Sequence, residues 1–213
     1  AGRMAFSSCL TDDLRPLVLD ASVLISLHAC TYGGRILRAV PNDIFVSRIV
    51  ANELEHETSR KNGEHSFLHG LLSGGEVILA DMTDDEYALF AELTSGFPSI
   101  DDGEAATIAV AAMRKFLCLI DEKKGRARAE VYMDQQEPAW SLDLLRHPQV
   151  VATLNPAQAA DALYLALRNG RMRIPEDHCS HVVGVISPRR ALECRSLPGY
   201  KIRRQEWCQN KYL

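Results

Sequence analysis

Four carboxylates stand at the boundaries of apolar or helix-forming segments: Asp20 after "LVL", Glu53 in "RIVANELEHE", Glu104 in "DDGEAATIAVAA" and Asp121 after "FLCLI". Asp20 is the plainest case, because "RPLVLDASVLISL" is an apolar run broken by one acid and resumed at once. A carboxylate in that setting is costly to bury unless it is paired or coordinates a cation. Brought together, four acids repel one another. A hard divalent cation such as Mg²⁺ or Mn²⁺ offsets that repulsion, since it prefers carboxylate oxygen and retains waters. Two such ions roughly 3.5–4 Å apart can activate a water and stabilise the leaving oxygen in phosphodiester hydrolysis. The competing explanation is structural. An acid in the first turn of a helix complements the dipole, which suits Asp101 or Asp102 well and Glu104 partly. Glu53, flanked by Glu55 and Glu57, equally suits an exposed helix face.

Other chemistries find less support. No G-x-S-x-G, P-loop or G-x-G-x-x-G occurs, so neither a nucleophile elbow nor nucleotide-dependent chemistry is indicated. The six cysteines include no C-x-x-C pair; Cys30 and Cys118 lie in apolar contexts and read as reduced core residues of a cytoplasmic protein. "DHCSH" gathers His178, Cys179 and His181, but the spacing fits no standard zinc framework and reads as a surface loop. No stretch approaches the roughly 18 apolar residues of a membrane span.

The elements that would position the acids alternate. "LVLD" reads as a buried strand, with Asp20 or Ser22 capping the helix that follows; "DIFVS" reads as a second strand, and Ser47 caps a helix, "RIVANELEHETSR". A third strand, "EVILA", precedes the capping box of Thr83 and Glu86 on a helix that stops at Gly96. The alanine-rich helix holding Glu104 leads into the strand "FLCLID" and the helix "EKKGRARAEVY". Asn155-Pro156 has the cap-then-proline signature and opens a helix closing at Asn169-Gly170, while "HVVGVIS" is a late strand candidate. Such alternation predicts an α/β fold with a mainly parallel sheet, where ligands bind beyond the carboxyl ends of the strands. Asp20 and Asp121 fall at that edge.

The chain has 213 residues with 46% hydrophobic and 24% charged, an ordinary globular composition long enough for a sizeable core. Its net charge of −4 is unevenly spread: residues from Arg168 onward carry +6 and the first 167 carry −10. An acidic body with a basic tail is compatible with a polyanionic substrate, or with a tail that merely solubilises.

Four segments, "VLDASVLISL", "VSRIVANELEHE", "DDGEAATIAVAA" and "LIDEKKGRARAE", together and in that order resemble the PIN-domain nuclease family, which includes VapC-type toxin ribonucleases. The "GEAATIAVAA" form looks like a branch with glutamate where many members have aspartate. The resemblance implies a PIN-like three-layer α/β sandwich with a mainly parallel central sheet over residues 16–170. A basic C-terminal extension, 171–213, follows and is not an independent domain. It implies a Mg²⁺- or Mn²⁺-dependent endoribonuclease with Asp20, Glu53, Glu104 and Asp121 as the metal-binding, catalytic quartet. Ser22 would orient Asp20 or a metal-bound water, with Asp101, Asp102 and Glu122 as auxiliary acids. Lys123, Arg126 and Arg128 would stand where a backbone phosphate arrives, or else form a solvated helix face. RNA, an antitoxin protein and a second copy of the chain are the implied partners, in the cytoplasm and away from membranes. The alternative is a PIN-like module that binds nucleic acid or protein with little catalysis.

Overall fold

A computed structural model describes residues 6–209. In chain order the elements are β1 (Leu17–Leu19), α1 (Ala21–Ala29), α2 (Gly33–Ala39), β2 (Ile44–Ser47), α3 (Arg48–Glu53), α4 (Glu57–Asn62), α5 (Glu64–Gly74), β3 (Ile78–Ala80) and α6 (Asp84–Ser95). Then come α7 (Asp102–Arg114), β4 (Leu117–Leu119), α8 (Lys123–Tyr132), α9 (Ser141–Leu145), α10 (Pro148–Arg168), α11 (Cys179–Ile186), α12 (Pro188–Ala191) and α13 (Tyr200–Gln209). The chain forms two compact units. Among the described residues, the sheet unit comprises 13–25 and 41–140, and the helical unit comprises 6–12, 26–40 and 141–209. No helix among the described residues is long and apolar enough to cross a membrane.

The sheet unit is α/β. Its four strands lie in the order β3-β2-β1-β4, all parallel. β1 and β4 are apolar at every position because both are fully buried, as expected for parallel strands covered on both faces. Leu19 of β1 pairs with Leu119 of β4, and the Asp20 amide donates to the Leu119 carbonyl at 3.2 Å. The two strands therefore end side by side, which brings Asp20 and Asp121 to one edge of the sheet.

Helix α7 supports that edge from within. Its residues 103–112 are all buried, and it packs on β1, β2 and β4 as well as on α3, α6 and α8. The run of alanines there suits a helix enclosed on several sides, since small side chains let neighbouring backbones approach. Val18, Leu93, Ile108, Val110, Cys118 and Ile120 anchor the core around it. The capping box at Thr83 and Glu86 forms as the sequence predicts, and Glu86 also binds the guanidinium of Arg114 at 2.6 Å.

The helical unit corrects one expectation. "HVVGVIS" is not a strand: residues 179–186 form α11, burying Cys179, Val182, Val183 and Ile186. Those four positions have helical spacing, and their burial on one face outweighs the β preference of valine and isoleucine. "DHCSH" is accordingly a 3₁₀ turn running into α11 rather than a surface loop, and the Cys179 thiol is buried. Asn155 does act as a cap, its Oδ1 accepting from the Gln158 amide at 3.0 Å, but another helical segment precedes it, joined at a kink where Asn155 has φ 64°.

Candidate active site

Asp20 follows the last residue of β1, and its position is fixed twice. Its carbonyl accepts from the Val23 and Leu24 amides, which starts α1, while Oδ2 accepts from the Ser22 hydroxyl at 2.6 Å and the Ser22 amide at 3.1 Å. It is only 4% exposed. Burial pushes its pKa above the ordinary range, against the pull of Ser22, and the Asp101 charge pushes the same way. Ser22 thus has the orienting contact that the sequence suggested.

Glu53 is the last residue of α3, which is shorter than its sequence suggests and is capped by Ser47 through the Val50 amide. Its carboxylate reaches the N-terminus of α7, where the Gly103 amide pulls its pKa down against stronger opposing effects. A Cβ at position 103 would meet Glu53 Oε2 at 2.6 Å, so glycine there makes room for the acid. Burial first, then the charges of Asp101 and Asp20, raise the Glu53 pKa to about 7.

Glu104 is 5% exposed, and its amide donates to Asp101 Oδ1 at 2.8 Å, the N-cap of α7. Its carboxylate lies against α8, where a Cβ at Gly125 would meet Oε1 at 2.6 Å. Burial, followed by Asp101, Asp20 and Glu122, raises its pKa to about 8. Asp121, two residues beyond the end of β4, is 3% exposed and shares the sheet edge with Asp20, but its charge is not among the main ones that raise the other three acids.

Asp101 is more central than its sequence position suggests. It is exposed, yet it raises the pKa of Asp20, Glu53 and Glu104 alike. Asp102 is felt at Glu53 and Glu122 at Glu104. Sequence reasoning missed the two glycines outright. A glycine inside a helix costs about 1 kcal/mol relative to alanine, and that cost is the signal that marks Gly103 and Gly125. Asp81, also just past a strand end, is a different case: it pairs with Arg48 on an exposed surface.

The three cations expected near the last acid separate. Lys123 is exposed at the start of α8. Arg128 is half-buried, its Nη2 3.5 Å from the Pro98 carbonyl. Arg126 is a correction: it is 7% exposed, donates from Nη1 to the Ile120 and Ala139 carbonyls at 3.0 Å each, and lies 3.7 Å above the Trp140 ring. Its guanidinium clamps the chain that follows β4, tying the Ile120 carbonyl to that of Ala139, which also accepts from the Ile120 amide at 3.2 Å beside the short parallel bridge of Ala139 with Leu119. It is not offered to a phosphate.

The acids fit a hard divalent cation in donor type and in charge. Carboxylate oxygens supply the donors, and the two glycines clear space beneath Glu53 and Glu104. Among the described residues, however, no three His, Cys, Asp or Glu side chains are drawn tightly enough to hold an ion as they stand. Burial first, and the neighbouring acidic charges after it, favour the protonated forms of Glu53 and Glu104 when no cation is bound. His178, Cys179 and His181 likewise form no such group.

Residues 16–133, more than half of the chain, match a family model described as a PIN domain. No curated protein and no solved structure gives a match. The match spans every carboxylate of the site and all four strands that carry them. The chain belongs to the PIN-domain family of nucleases.

Proposed function

We propose that the protein is a Mg²⁺- or Mn²⁺-dependent endoribonuclease that hydrolyses phosphodiester bonds without a covalent enzyme intermediate. One observation carries the reading. Asp20, Glu53, Asp101 and Glu104 come from three separate segments, yet the buried Glu53 and Glu104 each feel the charges of both Asp20 and Asp101, and Asp20 feels that of Asp101. A fold has no structural need for such a cluster, and a bound cation is the ordinary way to offset it.

The bound cation would supply Lewis acidity toward the scissile phosphate and lower the pKa of an attacking water. The chain's own residues do the rest. Asp20, Glu53 and Glu104 would hold the ion, with Asp121 at the adjoining strand end as the fourth acid. Ser22 keeps the Asp20 carboxylate oriented and anionic through its two donated hydrogen bonds. The Gly103 amide, at the positive end of α7, favours the charged form of Glu53 against the burial and neighbouring charges that raise its pKa. Asp101, exposed, would serve as an auxiliary acid whose charge reaches all three.

The proposal is checked by incubating purified protein with RNA and DNA oligonucleotides of matched sequence, with Mn²⁺, Mg²⁺ or EDTA. Cleavage of RNA that needs the cation and disappears in Asp20→Asn supports it. Cleavage that survives EDTA, or is equal in Asp20→Asn, refutes it.

A further inference from the structure

The charge of the molecule is divided between its units. Among the described residues the sheet unit holds ten Lys and Arg against 21 Asp and Glu, net −11, whereas the helical unit holds 12 against seven, net +5. A polyanion meeting the sheet unit is repelled, and at physiological salt a charge acts over only about 8 Å. Positive charge that assists RNA must therefore be gathered where the strand touches it.

It is gathered in one place. A cleft of about 830 Å³ in the helical unit lies between residues 167–173, at and beyond the end of α10, and residues 193–196. Four arginines line it, Arg168, Arg171, Arg173 and Arg195, with Glu193 as the single acid. Glu193 is already neutralised, by Arg168 at 3.0 Å, and also accepts from the Tyr164 hydroxyl at 2.8 Å. Among the described residues Arg171 and Arg195 have no ion-pair or hydrogen-bond partner.

The walls are fixed. The Met172 amide bonds back to the Ala166 carbonyl at 3.1 Å, and the Ser196 hydroxyl donates to the Leu167 carbonyl at 3.0 Å. Between them Arg171 adopts φ 54°, a left-handed conformation that costs an arginine about 1 kcal/mol or more. A neighbouring hollow of about 500 Å³ shares Arg195 and is bordered by Lys201 and Arg204, so the cationic lining continues past the first cleft.

We propose that this four-arginine cleft binds backbone phosphates of single-stranded RNA. A guanidinium offers a planar fork that matches two phosphate oxygens, and Arg171 and Arg195 are free to use it. The choice of RNA among phosphate-bearing ligands rests on the nuclease reading; the anion chemistry of the cleft does not.

Binding of a labelled single-stranded RNA by the Asp20→Asn protein, in EDTA and across a salt series, separates the two. Neutralising Arg171→Gln with Arg195→Gln should weaken binding about tenfold or more and make the slope of log affinity against log salt shallower by about 1.4, two phosphates at about 0.7 each. The charge-conserving Arg171→Lys, Arg195→Lys protein should keep the parent slope. Unchanged affinity and slope in the glutamine variant, or a slope lost equally in the lysine variant, overturns the proposal. So does a result in which millimolar inorganic phosphate raises the melting temperature through these arginines while RNA affinity stays at the parent value, since the cleft then takes a small anion. Failure of the parent to cleave RNA would bear on the catalytic reading alone, because this binding needs no cleavage.

Discussion

Replacing Glu104 by glutamine should make the metal-free protein more stable while abolishing its activity. The Glu104 carboxyl is raised from 4.5 to about 8 by burial and by Asp101, Asp20 and Glu122. Taken whole, a shift of that size corresponds to about 5 kcal/mol; screening by solvent and relaxation of the open side leaves about 1–2 kcal/mol. The sign follows from proton uptake. Between the unfolded value and the raised folded one, the folded chain binds more protons than the unfolded chain, so stability is full below about pH 4.5 and falls as pH rises toward 8. Glu104→Gln removes the ionising group and nearly preserves its shape. Thermal melts in EDTA should therefore show the parent losing stability between pH 5 and 8.5, and the variant losing less. At pH 8.5 the variant should melt about 3–6 °C higher. Millimolar Mn²⁺ should raise the parent's melting temperature at pH 8, as any ligand of the native state must, and move the variant little. A variant that melts lower than the parent at pH 8.5, or shows the same pH slope, refutes the reasoning.

Other perturbations separate site from scaffold. Gly103→Ala and Gly125→Ala each set a methyl 2.6 Å from a glutamate oxygen, so activity should fall tenfold or more; because the far end of a side chain can swing aside, melting temperatures should stay near the parent's. Ser22→Ala removes the 2.6 Å hydrogen bond that holds Asp20 ionised, so the acidic limb of the pH–rate profile should move to higher pH, with the loss of rate largest at low pH. Arg126→Met should destabilise the fold by about 1–3 kcal/mol, seen in denaturant melts, since the buried Ile120 carbonyl loses this donor while the Ala139 carbonyl keeps only the Ile120 amide. KM for RNA should not change, whereas a phosphate-binding role would raise it.

Much of the sheet unit was legible because its signals are local. The runs "LVL" and "LCL" are apolar at every position, the Thr83 and Glu86 box caps α6, and the acidic start of "DDGEAATIAVAA" marks where α7 begins, so these strand ends and helix starts could be read directly. What escaped depends on contacts between segments. Arg126 sits in a charged helix like its neighbours, and only the Ile120 and Ala139 carbonyls and the Trp140 ring, brought beneath it by the fold, decide that it turns inward. Asp101 reads as an ordinary cap until Glu53 and Asp20 arrive beside it. Residues 179–186 carried a helical spacing of apolar positions that the run of β-branched residues disguised.

The central claim is that carboxylates from distant segments jointly hold a divalent cation. An anomalous difference map from crystals soaked in Mn²⁺ tests it most directly. The account predicts density bounded by Asp20, Glu53 and Glu104, absent from Glu104→Gln crystals treated alike. Density elsewhere, or none at this edge of the sheet in crystals whose protein cleaves RNA, would contradict it.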